Sequence, residues 1–427
     1  MPSVKNSKSL RTELTQHLKE ASRINSSKQI QYWYPLAMAT YGIDEVLEAL
    51  DSMCNYRTTM WDKTRQFEED FGSKFGGEAV MVNSGSSADL IAAFSMHELS
   101  GGNLKTGDEV LVPAVTWPTQ IWSIIMAGFT PIFVDVNPQT LNIDINDLRK
   151  KITPKTRAIA IVHLMGNTPN MAEVNLMCQE HNLEMIEDCC ESLGTKWNGK
   201  PVGTLGQSGT FSFFFSHHIT TMEGGMLITT NPELAERYRL LRAHGWSRNL
   251  RNPIDPIEGL DPRYTFVNWG FNVRPTELQA GFGQVQLARV DDFQLHRLNN
   301  ATLLMKLLEK YLNYFSIMRI EPGTTCSWFA LPIMVHQNAP FTRDEITNFL
   351  EEVGVETRPI VAGNLARHPA VSRFPSLRNQ NLPGADLVHE QGFYIGIHPV
   401  NMEDEIHRIE SEISRFFRQL NISVEIQ

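Results

Sequence analysis

The chain has 427 residues, of which 42% are hydrophobic and 20% charged, and its formal net charge is −10. That size suits a soluble protein with a full core and two or three domains. The acidic balance, with no block of Lys/Arg, excludes a nucleic-acid arm, and no apolar stretch approaches the ~20 residues that cross a bilayer.

The N-terminus, MPSVKNSKSLRTELTQ, is polar and lacks the apolar core of a signal peptide, so a cytoplasmic protein is expected. Residues 1–32 read as a polar extension with a short helix around 9–22. From about 33 to 290 the pattern predicts one large α/β domain. EAVMVNSG reads as a strand followed by the helical SSADLIAAFSMHEL. DEVLVPA, TPIFVDV, AIAIVHL and LEMIEDC follow, with helical segments between most of them. Near-continuous apolar strands separated by helices predict a mostly parallel central sheet. A β-prone run from Phe211 to Phe215 ends at His217-His218, just before Glu223-Gly224-Gly225. A long helical region is expected from about 276 to 313. Residues 291–427 mix strands (SWFALPIMV, GVETRPIV) with helices (RDEITNFLEEV, EDEIHRIESEISRFFRQL) and read as a smaller α+β domain. The five cysteines, Cys54, Cys178, Cys189, Cys190 and Cys326, fit reduced thiols.

Four stretches carry chemistry. In MVNSGSSADLI a strand breaks at Asn83-Ser84-Gly85 and a helix begins. Glycine permits the tight turn, and free N–H groups with hydroxyls at a helix start suit an anion such as phosphate, or simply cap the helix. In LEMIEDCCESLG, Glu187 and Asp188 stand where a buried strand ends. Parallel sheets bind ligands at that edge, so a carboxylate there could hold a protonated ring nitrogen, or merely open an acidic loop. Trp117 of TWPTQ follows a strand and could stack on a planar ring, or pack. His217 has an unperturbed pKa of ~6.5 and can move protons near neutrality. It makes a poor joint metal site with His218, because adjacent strand residues face opposite ways, so no metal is expected.

In this order, together with GDEVLVPA, FVDVNPQTLNID, IEDCCESLG and GFNVRPTELQAGFGQVQL, these stretches resemble the DegT/DnrJ/EryC1/StrS family of sugar aminotransferases over about residues 33–427. The resemblance implies the aspartate-aminotransferase fold, a homodimer with shared active sites, and pyridoxal or pyridoxamine phosphate as cofactor. It implies Gly85, Ser86 and Ser212 at the cofactor phosphate, with Asn272 reaching the phosphate of the neighbouring subunit's cofactor. It also implies Trp117 on the ring face, Asp188 at the ring nitrogen and Glu191 along the ring edge. His244 and Arg248 of RAHGWSRN look placed for the sugar nucleotide, where an arginine suits a diphosphate; a solvated loop is the other reading.

The departure lies at His217, where the family has the lysine that bonds the cofactor. No lysine occurs between Lys200 and Lys306, and an imidazole cannot make that bond, so the cofactor is expected to be held non-covalently. A histidine here resembles the family's pyridoxamine-phosphate-dependent sugar 3-dehydratases, with His217 as the base. The implied reaction removes the C3 hydroxyl of a nucleotide-linked 4-keto-6-deoxy hexose, with glutamate re-aminating the cofactor. SHHITTMEGG, RAHGWSRNL, NVRP, CSWF and RPIVAGNL resemble the GDP-sugar branch, which makes GDP-4-keto-6-deoxy-D-mannose the expected substrate. The branch acting on CDP-4-keto-6-deoxyglucose carries an iron–sulfur cluster, which needs about four cysteines. Only Cys326 follows Cys190, so no cluster is expected. The CDP-sugar dehydratase, an aminotransferase with a displaced lysine, and a catalytically dead binding or regulatory homologue stay open as alternatives.

Overall fold

The computed structural model describes residues 12–17, 20, 32–378 and 380–422. Residues 12–17 and 20 are helical; the rest of the helix expected at 9–22 lies outside the described residues. The first strands are β1 (Glu78–Val82), β2 (Glu109–Pro113), β3 (Thr130–Val134), β4 (Thr156–Val162) and β5 (Glu184–Asp188). A short ribbon, β6 (Lys196–Trp197) and β7 (Lys200–Pro201), leads to β8 (Ser208–Ser212) and β9 (Gly225–Thr229). Towards the C-terminus come β10 (Phe315–Ile317), β11 (Thr324–Thr325), β12 (Ala330–Val335), β13 (Thr357–Pro359) and β14 (Gly392–Gly396).

Seven strands form one sheet in the order β1-β9-β8-β5-β4-β2-β3. β2, β3, β4, β5 and β8 pair in parallel, and β9 runs antiparallel to both of its neighbours. The expected α/β class with a mostly parallel sheet is thus observed. Its cause is in the strands: EAVMV, EVLVP, AIAIV and GMLIT are apolar at successive positions and buried on both faces, which requires helices above and below. Such a sheet collects the C-terminal ends of its parallel strands along one edge, where Val82, Val162, Asp188 and Ser212 terminate.

A second, antiparallel sheet has the order β10-β12-β14-β13. The helices Arg343–Glu352, Pro383–Gln391 and Glu403–Gln419 accompany it. Residues 33–36 also dock here: Tyr34 bridges to Val355 and donates its hydroxyl to Gly396 O (3.0 Å), and Leu36 N donates to Glu356 (3.0 Å). Among the described residues no helix is long and apolar enough to cross a membrane.

Two expected elements are shorter than their sequence patterns. The strand read as Phe211–Phe215 ends at Ser212. There the backbone folds into a tight loop, with Phe213 N bonded to Gly224 O and Thr221 N to Phe213 O, while Phe214 and Phe215 turn out, 46% and 40% exposed. His217 and His218 therefore sit in a turn, not on a strand. The helical region 276–313 breaks at Arg289 into Glu277–Ala288 and Val290–Leu308. The break lets the second helix reach the antiparallel sheet, where Asn300 Nδ2 donates to His398 O (2.9 Å) and Val400 O (2.6 Å).

Candidate active site

A cavity of about 650 Å³ opens at the C-terminal edge of the seven-stranded sheet. Gly85, Ser86, Trp117, Asp188, Glu191, Ser212 and His217 all line it, and among the described residues no lysine does. Seven residues spread over more than 130 positions meet because they sit at, or just beyond, the ends of four strands, β1, β2, β5 and β8.

The turn after β1 makes one wall. Ser84 is the N-cap of the Gly85–Ser95 helix, its hydroxyl accepting from Ser87 N at 3.1 Å. The first N–H groups of a helix have no intrahelical partner, and here they open on the cavity at Gly85 and Ser86. A Cβ at Gly85 would lie 2.5 Å from Ser212 Cβ, so only glycine lets this turn close against the end of β8. Trp117 precedes Pro118 at the start of the next helix and leaves 59% of its surface open, unusual for so large an aromatic.

The floor is acidic. Asp188 is buried, and one of its oxygens accepts from Cys190 N at 3.0 Å. Burial raises its pKa, opposed by the Cys190 hydrogen bonds and by His163. Asp89, one helical turn beyond Gly85, stands beside it; the sequence reading missed this residue. Thr210 Oγ1 donates to Asp89 at 2.7 Å and Thr119 Oγ1 at 3.1 Å. Thr210 is also the cross-strand neighbour of Asp188. Burial, then the charge of Asp188, push Asp89 well above the ordinary carboxylate range. The i, i+4 spacing from Gly85 was the available signal.

Glu187, left equal with Asp188 by the sequence, faces away. Its carboxylate accepts from the N–H groups of Gly203 (2.8 Å), Leu205 (2.7 Å) and Gly206 (2.7 Å) and meets His163 Nε2 at 2.9 Å. With Cys189 these side chains place three ligand-type atoms within 4.8 Å. Glu187 is, however, already saturated, and it pins the 203–206 turn beneath β5.

Glu191 accepts from Met165 N at 3.0 Å, and burial, helped by Asp188, pushes it up to about 7. The His217 ring packs edge-on against Phe214 and Phe329, with centroids 6.2 and 5.5 Å away. Its Nδ1 is buried without a partner, which leaves Nε2 to the cavity. Loss of hydration, then the nearby Arg297 charge, lower its pKa to about 4. The sequence expectation of a value near 6.5 is corrected accordingly: this imidazole is neutral across the physiological range. His218 lies behind it, fully buried, with Nε2 3.3 Å from Ser327 O. Arg297, Arg358, Tyr394 and His398 complete the far wall; they come from the C-terminal third, and only Arg358, the first residue of RPIVAGNL, fell in a quoted motif, with no role given to it.

The remaining three expected site residues are elsewhere in the chain. Arg248 and Asn272 line a second cavity of about 700 Å³, and His244 lines neither cavity. The Arg248 guanidinium sits 5.2 Å over the Trp246 ring, and Arg274 Nε donates to Asn272 at 3.1 Å. His244 holds φ +63° next to the Ala243–Asn272 bridge. Within one chain, then, His244, Arg248 and Asn272 do not meet the other expected cofactor residues.

The sequence model for the DegT/DnrJ/EryC1/StrS aminotransferase family matches residues 40–414. A GDP-4-keto-6-deoxy-D-mannose 3-dehydratase of Yersinia pseudotuberculosis is 36% identical over 389 residues, spanning 90% of this chain and 98% of that protein. The solved Escherichia coli GDP-4-keto-6-deoxy-D-mannose-3-dehydratase with bound hydrated PLP superimposes with a TM-score of 0.84 at 34% identity, over 89% of this chain and 99% of that one. A GDP-4-keto-6-deoxymannose-3-dehydratase structure with a trapped PLP-glutamate geminal diamine gives 0.82 at 34% identity, again over 89% and 99%.

Proposed function

We propose that this chain, which belongs to the DegT/DnrJ/EryC1/StrS aminotransferase family, removes the C3 hydroxyl of a nucleotide-linked 4-keto-6-deoxy hexose, GDP-4-keto-6-deoxy-D-mannose, with non-covalently held pyridoxamine phosphate. One observation carries the reading. His217 lines a cofactor-sized cavity that no lysine among the described residues lines, so the pocket offers a proton acceptor where the family offers a tether.

The residues present fit the cofactor. The helix start at Gly85 and Ser86, closed by Ser212, offers unbonded N–H groups and hydroxyls to a phosphate. Trp117 presents an open aromatic face to a ring, Asp188 a buried carboxylate to a protonated ring nitrogen, and Glu191 a group along the ring edge. When bound, the cofactor supplies an amine for the sugar's C4 ketone and a ring that accepts electrons.

This chain's residues do the rest. Asp188 keeps the ring nitrogen protonated. His217 Nε2 takes up a proton and returns it to the C3 hydroxyl as that group leaves as water. Phe214 and Phe329 exclude solvent from the imidazole. Glutamate restores the amine, so the net change is glutamate plus 4-keto-6-deoxy sugar giving 2-oxoglutarate, ammonia and 4-keto-3,6-dideoxy sugar. We further propose a homodimer in which His244, Arg248 and Asn272 reach the partner's cavity, and turnover without an iron–sulfur cluster. The separation of these residues from His217 within one chain supports the first point. The spread of the cysteines supports the second.

The test is incubation with pyridoxamine phosphate, glutamate and a panel of GDP- and CDP-linked 4-keto-6-deoxy sugars, after iron chelation. Release of 2-oxoglutarate, ammonia and the deoxygenated GDP-sugar is expected. Borohydride treatment after loading with pyridoxal phosphate should leave no cofactor–lysine adduct in the 201–305 peptides. A stoichiometric adduct there, or activity that returns only with a reconstituted cluster, overturns the reading.

A further inference from the structure

The floor of the first cavity holds two neighbouring acids, and the proposed function uses only Asp188. Asp89 also lines the cavity; the two are 5% and 4% exposed. They converge because Thr210, the register partner of Asp188 on β8, donates to Asp89 Oδ1 at 2.7 Å. Among the described residues no Lys or Arg pairs with either carboxylate. His163, which favours an ionised Asp188, is engaged with Glu187 at 2.9 Å. Two carboxylates so placed cannot both ionise at low cost, so one keeps its proton.

The hydrogen bonds decide which. Asp188 accepts from Cys190 N at 3.0 Å. A backbone N–H only donates, and its bond is stronger to a charged acceptor. Among the described residues Asp89 meets only hydroxyls, Thr210 Oγ1 and Thr119 Oγ1, the latter at 3.1 Å. A hydroxyl both donates and accepts, so either one can turn to receive a proton from Asp89. Thr210 then has Glu187 O, 3.5 Å away, for its own hydrogen. Asp89 thus loses no bond by keeping its proton, whereas Asp188 would give up a charge-assisted one.

The elements packed on the Gly85–Ser95 helix bring Asp89 no compensating charge. The Pro118–Met126 helix offers Thr119 and no titratable group, and β9 has none. Beyond β5 come Asp188 and the thiols Cys189 and Cys190, both held protonated by burial. The arginines of the Pro232–Arg242 helix are engaged elsewhere: Arg237 with Ser95 O and Gly101 O, Arg239 with Glu236 and Glu78, Arg242 with Glu68. On the same helix Tyr238 bonds Ser208, Glu233 is exposed, and Glu78 opens β1. In the cavity, Glu191 is bonded to Met165 N and His217 is neutral.

We propose that Asp89 keeps its proton while Asp188 carries the charge, so that Asp89 is a positioning residue that leaves Asp188 the single charge facing the cofactor's ring nitrogen, a role that rests on the proposed function. Burial, then the Asp188 charge, act on Asp89 in the same sense.

Infrared difference spectra test it. Cofactor-free wild type minus Asp89→Asn at neutral pH should show the C=O stretch of a protonated carboxyl, shifted down in D2O, and the band should persist after loading with pyridoxamine phosphate. Glu191 is common to both proteins and cancels. The amide copies a protonated acid in shape and bonding, so Asp89→Asn should change the dissociation constant for pyridoxamine phosphate by well under the roughly tenfold that one pKa unit represents. Removing an ionised Asp89 would instead weaken binding by that factor or more. Asp89→Leu bonds neither threonine and should weaken binding about tenfold, a loss that Asp89→Asn avoids. With folding checked by circular dichroism, a missing carboxyl band or a tenfold weaker Asp89→Asn overturns the placement of the proton. Unchanged binding by folded Asp89→Leu overturns the positioning role. Failure of the proposed function reads differently: the wild type would then neither bind pyridoxamine phosphate nor dehydrate the sugar, whether or not the carboxyl band is present.

Discussion

In the first cavity Asp188 has one hydrogen bond from Cys190 N, Arg297 has no counter-ion among the described residues, and His217 and His398 each bury an unpartnered nitrogen. In the second cavity the buried arginines are already answered. Arg242 meets Glu68 at 2.5 Å and donates to Met81 O at 2.7 Å. Arg239 meets Glu236 at 2.7 Å and Glu78 at 3.3 Å, and Arg251 lies within 4 Å of Glu68, Glu69 and Glu78. The cavities are of similar size and both hold charge. One leaves its charges unmet and so is poised for a ligand. The other pairs its buried Arg239 and Arg242 with carboxylates and so ties the Pro232–Arg242 helix to the Asp62–Phe75 helix and β1, while Arg248 and Arg274 in its lining meet no carboxylate among the described residues. Buried charge alone does not mark a functional site; buried charge without a partner does.

Substitutions can break this contrast, and the largest effect belongs to the first cavity. His217→Asn should lower single-turnover dehydration by at least the 10²–10⁴-fold that a general base contributes. Binding of pyridoxamine phosphate should persist, because the Gly85 turn, Trp117 and Asp188 are untouched. Near-wild-type dehydration by this variant would mean that His217 is not the base.

The second cavity should respond in stability. Arg242→Met strands the Glu68 carboxylate in a buried site, and urea unfolding should show a loss of roughly 3–5 kcal/mol. The double variant Glu68→Gln with Arg242→Met should recover much of it. By contrast, Asp188→Asn should not destabilise the cofactor-free protein, since burial already disfavours the Asp188 charge. A large loss with Asp188→Asn, or none with Arg242→Met, would reverse the assignments of the two cavities.

Glu191 gives the comparison a pH dependence. Its carboxyl titrates at an ordinary 4.5 in the unfolded chain and near 7 in the folded one, so the folded state holds the proton more tightly. The stability it contributes is fully present below about pH 4.5 and is lost as pH rises through about 7. The difference is about 3 kcal/mol between those limits. Glu191→Gln should flatten the cofactor-free unfolding free energy over that window; an unaltered pH profile would show that Glu191 is ionised there.

The smallest expected change is at Trp117. Trp117→Ala removes one aromatic face worth about 1 kcal/mol, so the dissociation constant for pyridoxamine phosphate should rise roughly fivefold by fluorescence titration. No change would remove Trp117 from the cofactor's contacts.

Much of this was legible in the chain. Apolar runs such as EAVMV and AIAIV announced buried strands, and the breaks at Gly85 and Asp188 announced where those strands end. Strand ends in a parallel sheet share one edge, so naming them located the cavity's near wall. The absence of lysine between Lys200 and Lys306 needs no structure at all. Local pattern could not separate Glu187 from Asp188: they are neighbours of one type, and the difference arises from the 203–206 turn that comes back to bond one of them. Nor could it end β8 at Ser212, because Phe213 to Phe215 keep the β-prone composition while the loop to Gly224 takes over their hydrogen bonds.

By itself, then, the sequence determined the layered α/β architecture, the glycine turn into the Gly85–Ser95 helix, the acid at the strand end and the histidine in a stretch without lysine. Each of these is written in consecutive residues, and short-range sterics and solvation act on them directly. Tertiary structure alone decided the far wall and the chemistry of the near one. It brought Arg297, Arg358 and His398 across 80 or more residues of chain to His217, set Asp89 beside Asp188, and left Arg248 and Asn272 in a separate cavity. It also lowered the His217 pKa to about 4 and raised that of Glu191 to about 7. A pKa is set by hydration lost and charges met, and both depend on residues that are distant in the chain and adjacent only after folding.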